Sequence, residues 1–89
     1  MKFEFDPKKN ASNKSKHGLG FIDGQELWED PERLEVPAKT DGEQRYMLIG
    51  KINGKYWSAV FTVRDEKTRI ISIRRSRTKE VNAYENEDI

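Results

Sequence analysis

The dipeptide Asn53-Gly54 stands between two runs of alternating side chains, 45–52 and 55–64, and no other feature limits the fold as strongly. Asn and Gly both accept the left-handed backbone that a two-residue type I′ turn needs, so the spacing predicts an antiparallel hairpin. Asp65-Glu66-Lys67-Thr68 then reads as a second, longer turn and Arg69 to Arg75 as a third strand. The result is a three-strand meander over residues 45–75. Because strand side chains alternate with period two, Trp57, Ala59, Phe61 and Val63 share one face, leaving Tyr56, Ser58, Val60, Thr62 and Arg64 on the other. In the third strand Ile71 and Ile73 oppose Ile70, Ser72 and Arg74. One face is expected to be a core for helices, and the other polar and cationic. On the first strand Arg45, Met47, Ile49 and Lys51 share a face, but Tyr46 and Leu48 are apolar too, so its orientation stays open.

Ahead of the meander, Phe3 and Phe5 alternate with charged residues in a short strand stopped by Asp6-Pro7. Asp6 suits an N-cap and Pro7 the first helical position, where its missing N–H costs nothing. Helix one is expected to run to Lys16-His17, with Gly18 as the left-handed residue past its end. Its only apolar side chain after Pro7 is Ala11, so it must lean on its caps and on the flanking Phe and Leu residues. A second helix, from Phe21 through Trp28, is ended by Pro31 and weakened by Gly24. Leu34 and Val36 mark a short strand, residues 37–42 a polar loop, and Ser76 or Thr78 a cap for a last helix carrying Val81 and Tyr84, ahead of a frayed acidic end. The expected fold is α+β: an antiparallel sheet, made of the 45–75 meander and short N-terminal strands, with two N-terminal helices and a short C-terminal one, in a single domain over 1–89.

Composition narrows the chemistry. Apolar residues are 34% and charged residues 37% of the chain, against a typical quarter or so charged, which predicts a thin core. With no cysteine and one histidine, His17, there is no disulfide, no thiolate or two-histidine metal site, and no paired-histidine acid–base mechanism. No cofactor is expected. No apolar run resembles a signal peptide or a membrane span, which reads as cytoplasmic. The net charge of +1 conceals blocks of +3 (1–20), −6 (21–43), +8 (44–79) and −4 (80–89). Such segregation fits a polyanion-binding surface backed by an acidic one.

Several segments together resemble the BrnT-type toxins, small ribonuclease toxins with a RelE-like fold. They are Phe3-Glu4-Phe5-Asp6-Pro7-Lys8-Lys9-Asn10, Asn13, Lys16-His17-Gly18-Leu19 with Phe21, Glu43-Gln44-Arg45-Tyr46, Ile49-Gly50, and Arg69-Ile70-Ile71-Ser72-Ile73-Arg74-Arg75 with Glu80 and Tyr84. That family's pattern has Trp where Phe5 stands and Ala where Gly24 and Ile73 stand. The resemblance implies an endoribonuclease that blocks translation. It further implies a neutralising BrnA-type antitoxin with a DNA-binding domain, through which alone the complex reaches DNA.

RNA carries its own nucleophile, the 2′-OH, so cleavage needs in-line orientation and stabilisation of charge on a phosphorane-like transition state, and no metal. Arginine suits the second task, because its fork of donors engages two phosphate oxygens and stays charged. Arg64 and Arg74 on the polar face are the first candidates, with Arg75 just beyond. Lys51 could take part in proton transfer or serve as a solubilising turn residue. Ser72 either hydrogen-bonds a phosphate oxygen or leaves room for RNA to approach. Tyr46 and Tyr56 could stack on bases, and Arg45 and Arg77 could contact the backbone. His17 reads as a helix C-terminal residue, Trp28 and Trp57 as core, and Glu80 as an ion-pair residue or a general base. Two other classes stay open: a non-catalytic RNA-binding module on the same face, and an interaction protein that uses the acidic 21–43 block.

Overall fold

The computed structural model describes residues 1–39 and 42–86. The middle of the expected polar loop and the end of the acidic tail lie outside them. In chain order the elements are β1 (Lys2–Glu4), α1 (Pro7–His17), a 3-10 helix (Asp23–Glu29), β2 (Leu34–Ala38), β3 (Arg45–Ile52), β4 (Lys55–Arg64), β5 (Lys67–Arg75) and α2 (Thr78–Glu85). The class is α+β, but the sheet is mixed where an antiparallel one was expected. Its five strands run β1-β5-β4-β3-β2, and β1 lies parallel to β5, pairing Phe3 with Thr68. The chain passes through α1, the 3-10 helix and β2 to β4 between these two strands, and such a long connection permits the parallel pairing.

The first hairpin turn forms as expected, with Asn53 and Gly54 at φ 51° and 78°. The second is tighter than expected, because Arg64 pairs with Lys67. Asp65 and Glu66 therefore make the whole turn, at φ 49° and 64°. Pro37 and Ala38 continue edge strand β2 instead of opening a loop, as an edge tolerates a missing N–H.

Helix α1 starts where Asp6 accepts the N–H of Lys8 at 2.8 Å and ends at Gly18, φ 86°. Asn13 is its one buried residue and ties it to the sheet. Past Arg69, β5 has no strand on its outer side, and the buried Asn13 side chain takes that place. Its Nδ2 donates to the Ile73 carbonyl at 2.7 Å, and its Oδ1 accepts the Ile73 N–H at 3.1 Å. The amide thus pairs an otherwise open strand edge, which is how a polar helix docks on an apolar sheet.

The expected second α-helix is a seven-residue 3-10 helix. Three residues per turn line up Gly24, Leu27 and Asp30 along one edge, and that edge meets the sheet. Gly24 abuts Ile73, Leu27 covers Gly50, and Asp30 Oδ2 accepts the Lys51 N–H at 2.9 Å. Beneath it Phe21, Leu27, Trp28, Leu48, Trp57, Ala59, Phe61, Ile70 and Ile73 form the core. Trp28 is edge-on to both Phe3 and Phe61, with centroids 5.1 and 5.3 Å away.

Two strand assignments change. Val60 pairs with Ser72 but Phe61 with Ile70, so Ile71 is an extra residue in β5. This bulge resets the alternation and buries Ile70 together with Ile73, where alternation had paired Ile71 with Ile73. Val63 keeps the core-side phase but is 55% exposed. On β3, Leu48 pairs with Ala59 and so faces the core, leaving Met47 and Ile49 on the second face.

Candidate RNA-facing site

The second face is not bare. Helix α2 returns across one end of it, where Tyr84 meets Tyr56 edge-on at 5.5 Å and Ile49, 2% exposed, is hidden. At this end Arg74 grips Glu80 with both Nη atoms, at 2.8 and 2.7 Å. Ser58 donates to the same carboxylate at 2.8 Å and meets the Ser76 hydroxyl at 2.8 Å. Ser76 is thus tied to β4 and does not cap α2; Arg77 is the N-cap residue, and its N–H also reaches Glu80 at 2.9 Å. These donors, the Arg74 guanidinium foremost, pull the Glu80 carboxyl down from its ordinary 4.5 to about 2. A carboxylate that acidic is a poor proton acceptor near neutral pH, which turns Glu80 from a general base into the holder of Arg74.

Beside this cluster, Lys51 Nζ lies 4.9 Å from the Tyr56 ring centroid and 5.9 Å from that of Tyr84. The Tyr56 hydroxyl donates to Glu85. Asp30 closes the end by accepting the Tyr84 hydroxyl at 2.8 Å. Burial alone would raise the Asp30 carboxyl, but hydrogen bonds from the Glu32 and Lys51 N–H groups and from Tyr84 outweigh it and lower it.

Arg64 belongs to a different cluster. Ser58, opposite Arg74, lies six residues before Arg64 on β4, about 20 Å at the usual strand rise. The two arginines cannot close on one phosphate. Arg64 makes a bidentate pair with Glu43 at 2.9 and 3.0 Å, and those bonds hold the Glu43 carboxyl below its usual range. Arg69 pairs with Glu4 at 2.8 Å. Arg45 adds charge here, its buried Nε lacking a hydrogen-bond partner among the described residues.

Other sequence candidates separate by face. Arg75 pairs across from Trp57 and lies over its ring, 5.4 Å from the centroid, on the helix side. Tyr46 is also on the helix side, stacked on Phe61 at 5.5 Å. Arg77 is exposed at the start of α2. Ser72 stays on the second face in the row beside Arg74. Ser58 and Asp30 are not among the sequence candidates. A lone serine on the polar phase of an apolar strand was the one available signal, since Asp30 acquires its partners only through tertiary contact. Among the described residues, no three His, Asp or Glu side chains gather as a metal cage, and no helix is long and apolar enough to cross a membrane.

A family model described as "Ribonuclease toxin, BrnT, of type II toxin-antitoxin system" matches residues 5–80. No curated protein matches the chain.

Proposed function

Because the chain belongs to the BrnT family of ribonuclease toxins of type II toxin-antitoxin systems, we propose that it is a cytoplasmic endoribonuclease, acting as a single domain over 1–89. It cuts RNA and so stops translation until an antitoxin covers it. The family match carries this reading.

The chemistry follows from the residues at the α2 end of the second face. A 2′-hydroxyl attacks the adjacent phosphorus in line and gives its proton to water, the P–O5′ bond breaks, the 5′-oxygen takes a proton from water, and a 2′,3′-cyclic phosphate forms without a metal ion. Arg74, held in a fixed orientation by Glu80, faces the phosphate through its remaining donor capacity, and Ser72 contacts a second oxygen. Lys51 supplies charge beside the leaving group, and Tyr56 a ring on which a base stacks. Arg64 and Arg45, at the far end of the sheet, hold the strand at a distance from the cut. Arg77 contacts it where α2 begins.

The antitoxin is of the BrnA type, with acidic side chains opposite these cations and a DNA-binding domain that makes the complex's only DNA contact. The purified chain, incubated with total RNA in excess EDTA, is expected to produce fragments, and a co-purified antitoxin complex is expected to produce none. RNA retarded but left intact would replace the nuclease reading with that of a binding module. Cleavage lost in EDTA and restored by magnesium would remove the metal-free mechanism.

A further inference from the structure

Helix α1 has no acidic residue, and none occurs between Asp6 and Asp23. Its Lys9, Ser12 and Lys16 lie at the spacing of one helix face, and with His17 they form one wall of a cleft of about 220 Å³. Ile71 and Ser72 of β5 form the other wall, and Asn13 is the floor.

Three observations set this cleft apart. Arg64, Arg69 and Arg74 are each occupied by a carboxylate. By contrast, the side chains of Lys9, Lys16, His17, Ser12 and Ser72 have no hydrogen-bond or ion-pair partner among the described residues. The cleft is also continuous with the second face, because Ser72 sits in the row beside Arg74 and lines the cleft as well. Finally, the bulge at Ile71 falls at this place. A bulge bends its strand and re-aims the side chains near it, and Ile71 and Ser72, the residues at this bulge, are the two of β5 that line the cleft.

We infer that this cleft takes phosphate groups of the RNA strand as it passes from the sheet face over the edge of β5. Lys9, Lys16 and the His17 imidazole meet the phosphate oxygens, and Ser12 and Ser72 donate hydroxyls. Lys16 lies seven positions after Lys9, about 10.5 Å along the helix, so they touch different parts of one backbone. Lysine is a point charge without a fixed fork, which suits contact that ignores sequence. The inference rests on the ribonuclease reading and extends its substrate path to α1.

The test uses the full chain and a fluorescent single-stranded RNA with methylated 2′-hydroxyls, which binds without being cut, together with cleavage of the unmodified RNA. The double variant Lys9→Ala/Lys16→Ala is expected to weaken binding at least about tenfold at low salt. It should also flatten the log K against log salt slope by about 0.7 per lost phosphate contact. KM should rise with kcat unchanged, while Arg33→Ala/Lys39→Ala, a control that also removes two positive charges but lies outside the cleft, behaves as the parent. His17 is the only histidine, so its ring proton resonances are assigned without ambiguity, and they should shift as RNA is added. If the parent binds and cuts RNA but the double variant keeps its affinity and slope, the cleft inference is overturned and the ribonuclease reading stands. A His17 resonance moved by poly-glutamate and not by RNA would overturn it in favour of an acidic protein partner. If the parent neither binds nor cuts RNA, the ribonuclease reading itself falls and the inference with it.

Discussion

The Cδ1 methyl of Ile73 fills the space that a Cβ on Gly24 would need. The BrnT pattern has Ala at both positions, so the methyl missing at 24 makes room for the end of the longer side chain at 73. Gly24→Ala alone is expected to overpack the joint and cost about 1–3 kcal/mol, and Ile73→Ala alone to cost about 2–5 kcal/mol through the cavity it leaves. Urea denaturation of the double variant should show a loss smaller than the sum by at least about 1 kcal/mol. Strict additivity would mean that the two side chains do not share the space.

Asn13 couples α1 to the sheet through both backbone groups of Ile73. Asn13→Ala strands that N–H and C=O, and the expected loss is about 1–3 kcal/mol. Hydrogen exchange gives the local readout: the Ile73 amide should lose protection far more than amides in β3. Equal change throughout the sheet would assign Asn13 a diffuse role.

The two bidentate arginines should respond differently. Arg64 and its partner Glu43 are 52% and 34% exposed, and exposed pairs contribute little, about 0–1 kcal/mol. Arg74 and Glu80 are 24% and 16% exposed, and they tie α2 to β5. Arg74→Ala is therefore expected to lower Tm by several degrees, whereas Arg64→Ala leaves it nearly unchanged. Arg74→Lys should keep charge but lose the fork, so cleavage falls even in molecules that remain folded. Full activity in Arg74→Lys would reduce Arg74 to general electrostatics.

Glu80 sets an acid limit. Its folded-state value lies below its unfolded one, so it contributes stability above about 4.5 that is lost as pH falls toward about 2. The parent should be more stable than Glu80→Gln at pH 7, and the gap should close across that window. Denaturation midpoints of both proteins between pH 7 and pH 2 give the comparison. A gap that does not change with pH would show that the carboxylate is not held by Arg74.

The β4–β5 turn places Glu66 at φ 64°, a conformation that costs a side-chain-bearing residue about 1–2 kcal/mol. Glu66→Gly makes an Asp-Gly turn and is expected to raise stability by about 1 kcal/mol, read as a higher denaturation midpoint with an unchanged m-value.

Local rules determined a good part of this protein. Asn53-Gly54 set the first hairpin and Asp6-Pro7 the start of α1, because both depend on backbone preferences a few residues wide. The block of charge over 44–79 and the absence of cysteine limited the chemistry before any fold was known. What local pattern could not reach was whatever depends on contact between distant residues. The parallel pairing of β1 with β5 joins residues more than sixty positions apart, and no local signal encodes it. The bulge at Ile71 breaks the period-two count, and burial of Ile70 against the helix layer decides it. The seven residues at 23–29 wind as a 3-10 helix, which brings Gly24, Leu27 and Asp30 into register with the sheet. The arginines could be counted in the sequence, but which of them a carboxylate already occupies is a tertiary fact. Glu4, Glu43 and Glu80 come from three separate regions, and only folding places each against its arginine and leaves the cations of α1 without a partner among the described residues.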